Sequence, residues 1–257
     1  YLLLTKLHPT NQSEKKNIHI ELKATKGIAK NCICWAIVSQ CSYFNRVDEE
    51  LAKKHLNAKL EQEKDVKNKQ DIENEFNTLE RYRCFHKNKY DEPNSFTFLL
   101  ESECKLTPEY IFFKACNIII EQLEDLIVNV AKDEESDIVE IMNSSDVENF
   151  YTIKINGHTH TIANLIQAGL MNICVRNQDE SLSGYELIFV GYSVPHPLEE
   201  MFLLKLKFNK DTSRRKVTEF LIQSIGKIKT DLSQFTHKWI EYTLLYKQDI
   251  NEVTNFS

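Results

Sequence analysis

The sequence predicts an α+β fold with a β-rich region in its first half that carries charged helices, and three observations predict it. Tyr151, Ile153 and Ile155 alternate with Thr152, Lys154 and Asn156, the two-residue period of a strand with one buried face. Ile162, Leu165, Ile166, Leu170 and Ile173 then fall at helical offsets and make one continuous apolar face. Near the end, Leu221, Ile225, Ile228, Leu232, Phe235, Trp239, Tyr242 and Tyr246 recur in alternating steps of four and three. That heptad stripe belongs to a long helix that needs a partner.

Composition bounds the rest. A chain of 257 residues holds one large or two small domains and can bury a full core. Its 42% hydrophobic and 27% charged residues read as soluble and globular. The longest apolar run, Cys32 to Val38, falls far below the roughly 18 residues of a membrane span, so no membrane partner is expected. Seven cysteines at irregular spacings suit a reducing compartment, with cytoplasm the expected location. A net charge of −6 argues against direct, sequence-independent binding of nucleic acid, which needs clustered Lys and Arg. Any link to nucleic acid is expected through partners. The chain opens on Tyr1 rather than Met, which reads as a fragment or a processed product.

Residues 1 to 44 read as β-rich. Leu2 and Leu4, then Ile18, Ile20, Leu22 and Ala24, alternate with polar neighbours on either side of a polar loop, and Thr25 to Lys30 supplies a turn. Residues 47 to 83 are dense in Lys, Glu, Asn and Gln. Leu51, His55, Leu56 and Leu60, then Ile72, Phe76 and Leu79, predict two exposed helices broken near Lys67 to Gln70. Their charges read as a solvated face.

Phe96 to Leu100 predicts a strand. Thr107 as cap and Pro108 in the first turn then open a helix whose apolar stripe is Ile111, Ala115, Ile118, Ile119, Leu123, Leu126, Ile127 and Val130. Lys132 to Asn149 is acidic and polar, without a sustained period beyond Ile138, Val139, Ile141 and Met142, and reads as a linker. The strand from Tyr151 ends at an Asn156-Gly157 turn, and Thr161 is the expected cap of the helix that follows. Strands from Tyr185 and from Met201 to Phe208 flank a corner at Pro195 and Pro197, which cannot donate ladder hydrogen bonds. The heptad helix is predicted over 213 to 247.

His160-Thr-Ile-Ala-Asn-Leu-Ile166, followed by Gly191-Tyr-Ser-Val-Pro-His-Pro-Leu-Glu199, resembles the alpha-type motif and hairpin of the eleventh subunit of eukaryotic RNA polymerase II, the archaeal L subunit. The family usually has Leu-Gly where Ile162-Ala163 stands, and an acid at the position of Thr159. Two earlier stretches are similar to the third subunit, the archaeal D subunit. One is Ile20 to Lys30 with Trp35 beyond it, where Ala29 replaces a second turn glycine. The other is Phe98-Leu-Leu-Glu-Ser-Glu-Cys-Lys-Leu-Thr-Pro-Glu109, leading into the family's dimerisation helix.

The resemblance implies a fusion of two proteins that normally form a heterodimer, with residues 1–143 third-subunit-like and 144–257 eleventh-subunit-like. It implies an RNA polymerase alpha-like dimerisation fold closed as an internal pseudo-dimer. His160, Thr161, Asn164, Leu165, Ile166, Leu126, Leu232 and Phe235 are its expected core. Such fused subunits are known from large cytoplasmic DNA viruses of the African swine fever type, which places this chain in host cytoplasm or the virion. The implied role is a non-catalytic assembly platform, without cofactor or metal. The implied partners are the largest and second-largest subunits and small tenth- and twelfth-subunit-like zinc proteins. Lys26, Gly27, Ile28 and Lys30, and the corner Val194, Pro195, His196, Pro197 and Glu199, are the candidate docking residues.

Two other function classes stay open on the residues alone. Cys32, Cys34, Cys41, Cys84 and His86, or His158 and His160, offer thiolate and imidazole to a metal, although no Cys-x-x-Cys pair is present. Stoichiometric metal in the purified chain is the observation that favours such an enzyme. The heptad stripe could instead pair between copies, a homodimeric interaction protein revealed by light scattering. A glycine-rich phosphate loop, a nucleophile elbow and a magnesium-binding acidic triad are all missing from the sequence.

Overall fold

The computed structural model describes residues 19–62, 66–132, 136–143, 147–176 and 182–244. The chain divides into two units between Glu103 and Cys104. In the first unit, β1 (Val38–Asn45) pairs antiparallel with β2 (Phe96–Ser102), Tyr43 opposite Phe98 and Cys41 opposite Leu100. Between these strands come α1 (Glu49–Gln62) and α2 (Val66–Glu75). Asp48 starts α1 because its Oδ1 accepts from the amides of Glu50 and Leu51, at 3.1 and 3.0 Å, two donors that a helix start leaves without partners. Past Glu75 the chain continues through a wider turn, Phe76–Glu80, and a 3-10 turn, Arg81–Arg83. Ala52, Phe76 and Cys84 form a small core under Val47, Leu51 and Leu56.

Two expectations for this unit are corrected. Ile20 to Ala24 is not a strand: the segment has no regular structure, and Ile20 and Leu22 are exposed. Alternation indicates a strand only where a neighbouring strand accepts its hydrogen bonds, and none does here among the described residues. Leu2, Leu4 and Ile18 lie outside the described residues. No helical break falls at Lys67 to Gln70, because α2 runs through those residues without interruption.

The second unit is built on a four-stranded antiparallel sheet in the order β3-β4-β6-β5. Its strands are β3 (Val139–Asn143), β4 (Phe150–Asn156), β5 (Leu187–Ser193) and β6 (Met201–Phe208). Burial alternates residue by residue along β4 and β6, so Ile153, Ile155, Phe202, Leu204 and Leu206 point into one core. Three helices pack residues into the same core: α3 (Pro108–Ala131), α4 (His160–Leu170) and α5 (Arg214–Leu244). Each fully buried Leu, Ile or Phe contributes about 1.5–3 kcal/mol, so this core and not the small one of the first unit dominates stability.

Helix α3 starts as the sequence predicts, with the Thr107 hydroxyl accepting from Tyr110 N at 3.3 Å and Pro108 in the first turn. Its stripe is rotated slightly, with Cys116 buried and Ala115 and Ile118 exposed. Thr161 is not the cap of α4. Thr159 holds that position with extended backbone, and the helix begins at His160. The stretch read as a linker contains β3, whose Val139 and Ile141 face Ile155 and Ile153 across the ladder and are buried. Five residues with two inward side chains give too short a period to recognise. Ser144-Ser145 and Tyr246 lie outside the described residues.

Candidate assembly surfaces

Lys26, Gly27, Ile28 and Lys30 are exposed, and a turn closes just past them where the amides of Asn31 and Cys32 reach Ile28 O at 2.9 and 3.3 Å. Gly27 matters for a reason other than backbone freedom. A Cβ there would stand 2.2 Å from Cδ2 of the Trp35 indole, so the ring lies directly on the glycine backbone. The glycine and the tryptophan eight positions later are thus one packing unit.

The corner between β5 and β6 is held by His196. Its Nδ1 accepts from Leu198 N and its carbonyl from Glu199 N, each at 3.2 Å. Val194 packs against the core, while Pro195, His196, Pro197 and Glu199 are exposed and Leu198 is 86% exposed. The neighbouring helix entry is tied to the same strand. His160 Nδ1 lies 3.2 Å from the Tyr192 hydroxyl, and Gln167 Oε1 accepts from Tyr192 N at 3.2 Å. Tyr192 and Gln167 were not singled out in the sequence. Gln167, one position past Ile166 on the amphipathic helix, was the available signal.

The eight residues expected in a pseudo-dimer core separate. Leu126 and Ile166 are fully buried, and Leu165 and Leu232 are half-buried against the same core. His160, Thr161, Asn164 and Phe235 are exposed and lie outside it. The heptad stripe of α5 is buried through Leu221, Ile225 and Ile228, stays half-buried against the same core at Leu232, and then meets α3 through Phe235 and Trp239. Phe112 meets Trp239 at 4.7 Å and Phe235 at 6.1 Å between ring centroids, and Trp239 Nε1 donates to Glu109 O at 3.2 Å. Lys229 reaches Glu124 at 3.2 Å. Positions rise along α3 as they fall along α5, so the two helices pair antiparallel. Phe112 was not named in the stripe, although it lies in helical register with Ala115, Ile119, Leu123, Leu126 and Val130.

The metal candidates do not converge. Cys32, Cys34 and Cys41 are exposed while Cys84 is buried, and among the described residues no three His, Cys, Asp or Glu side chains form a metal-binding group. Burial raises the Cys84 and Cys116 thiols and pushes Cys174 up to about 11, which keeps these three protonated and poor as nucleophiles. His158 is half-buried. Desolvation lowers its pKa, with Asp125 opposing. No helix among the described residues is long and apolar enough to cross a membrane.

Residues 151–238 match the family model of the RNA polymerase Rpb3/Rpb11 dimerisation domain. The match runs from β4 through α4 and the β5-β6 hairpin into α5, the elements that build the larger core. It supports an alpha-like RNA polymerase subunit family and, with it, a general role in RNA polymerase subunit assembly.

Proposed function

We propose that the chain is a non-catalytic assembly platform of a multisubunit DNA-directed RNA polymerase. In it a third-subunit-like part, 1–143, and an eleventh-subunit-like part, 144–257, are joined as an internal pseudo-dimer. The observation that carries this reading is the antiparallel seam of α3 on α5 inside one chain. Helix α5 lies largely in the matched segment, and α3 lies outside it and follows the third-subunit-like Leu-Thr-Pro-Glu. A division between units at Glu103 and a join near residue 144 answer different questions. The first records where packing is sparse, the second where two ancestral chains meet.

The exposed turn at Lys26 to Lys30 and the corner at Val194 to Glu199 are the docking faces for the second-largest and largest subunits. Small tenth- and twelfth-subunit-like zinc proteins are further neighbours. Nucleic acid is reached only through the complex, and the setting is viral transcription in host cytoplasm, with packaging in the virion.

Co-purification with a candidate second-largest subunit tests the platform. Wild-type chain is expected to recover the subunit, and Lys26→Glu with Lys30→Glu to recover much less at moderate salt, since reversed charge meets a docked partner with the wrong sign. Equal recovery by both removes the turn from the interface, and no recovery by wild type removes the platform reading. For the pseudo-dimer, a protease site placed at 144–146 spares β3. The two cleaved parts are expected to stay associated, and clean separation into folded parts contradicts the fusion.

A further inference from the structure

Cys32 and Cys34 flank Ile33 on a tight 3-10 turn, Ile33–Trp35, and both are exposed. Cys32 enters the turn extended, at φ −155° and ψ 130°, and its carbonyl accepts from Trp35 N at 3.1 Å. The chain therefore turns tightly at this point and carries the two exposed thiols one residue apart on it. A hydrogen bond with the Cys32 side chain, then its charge, raises the Cys34 thiol from its ordinary value. Two Cα atoms separated by one residue stand at most about 7 Å apart, and a turn shortens that span. A disulfide needs about 4.4–6.8 Å, so the backbone spacing on the turn suits a bridge.

We propose that Cys32 and Cys34 form a dithiol modification site that closes to an intra-turn disulfide on reaction with a low-molecular-weight disulfide. One of the two thiolates attacks the reagent, forming a mixed disulfide and releasing one thiolate. The second protein thiolate, one residue away on the same turn, attacks the mixed disulfide at the protein sulfur and releases the other thiolate. Two protein thiols lose two electrons and two protons, and the reagent disulfide is reduced to two thiols. The bridge is exposed and closes a small ring, features that raise its reduction potential and make it reversible.

The remaining cysteines do not offer this chemistry. Cys84 and Cys116 are buried and Cys174 is half-buried, whereas Cys41 and Cys104 are exposed but separated from the turn in sequence. Closure also has a built-in reporter. Cys34 adjoins Trp35, whose indole rests on Gly27, so a change in the turn's torsions moves the ring against that backbone.

The test uses the full chain equilibrated in mixtures of reduced and oxidised glutathione, quenched in acid, alkylated and digested. The peptide carrying Cys32 and Cys34 is expected to lose the mass of two hydrogens, to resist alkylation at both positions, and to recover with dithiothreitol. Cys34→Ser is expected to stop at a stable glutathione adduct on Cys32, while Cys41→Ser keeps the wild-type result. In a Trp239→Phe background, where Trp35 is the only tryptophan, emission is expected to shift with the same midpoint. Stable adducts on both wild-type cysteines overturn the proposal, as does full alkylation throughout or loss of the bridge in Cys41→Ser.

Discussion

Gly169 of α4 lies so close to Ile228 of α5 that a Cβ at position 169 would stand 2.5 Å from both Cδ1 and Cγ1 of Ile228. The helix propensity of alanine favours Gly169→Ala by about 1 kcal/mol. Overpacking opposes it by about 1–3 kcal/mol because Ile228 is buried and cannot swing into solvent. Net destabilisation is expected in chemical denaturation. Ile228→Ala removes the clashing atoms, so the double variant should be more stable than the sum of the two single effects requires. Strict additivity would show that the helices relax apart instead.

Leu126 and Leu232 sit on opposite sides of the α3–α5 pairing with unequal burial. Leu126→Ala is expected to cost about 2–5 kcal/mol, and Leu232→Ala clearly less, since its side chain already meets solvent. Thermal melts should not depend on protein concentration, because the paired helices belong to one chain. A midpoint that rises with concentration would point to pairing between copies.

The ion pair Lys229–Glu124 is expected to matter little. Its side chains are 32% and 53% exposed, and surface pairs contribute about 0–1 kcal/mol. Lys229→Met should leave stability nearly unchanged, whereas Trp239→Ala should lower it by about 2 kcal/mol through lost ring contact with Phe112 and the Glu109 hydrogen bond. The reverse ranking in denaturation would mean that charge, not aromatic packing, holds this end of the helix pair.

His158 gives a pH dependence whose sign follows from its lowered pKa. The unfolded chain then binds a proton more readily than the folded one between the two pKa values. Stability is unaffected by this group well above its ordinary value of 6.5, falls as pH drops below that, and levels off beneath the folded pKa. His158→Gln should lose less stability than wild type on acidification from neutral pH. An equal loss in both would assign the acid sensitivity elsewhere.

The second unit was more legible in the sequence than the first. Tyr151 to Ile155, Met201 to Phe208 and the Ile162 to Ile173 stripe are regular because each faces one continuous core. Period is a record of one-sided burial. Where burial is absent the pattern misleads, as at Ile20 and Leu22, and where an element is short it disappears, as in β3. The sequence also could not show that the heptad of α5 changes partner beyond Leu232. Leucine and phenylalanine look alike in a stripe, whether they enter a core or lie on one neighbouring helix. At Gly27 the residue was visible and its reason was not, because a ring lying on a backbone leaves no mark in local spacing.

The pairing of α3 with α5 sets a schedule for the growing polypeptide. Glu124 and Lys229 are 105 positions apart, so at about 5–20 residues per second the α3 stripe waits about 5–20 s on the ribosome for its mate. During that interval Leu123, Leu126 and Val130 have no α5 to cover them. β3 and β4 are made first and can shelter part of the stripe, but the face that receives Trp239 stays open until the last turns of α5 emerge. The nascent chain is thus most prone to aggregation between the completion of α3 and that of α5, and a pause in translation there prolongs the exposure.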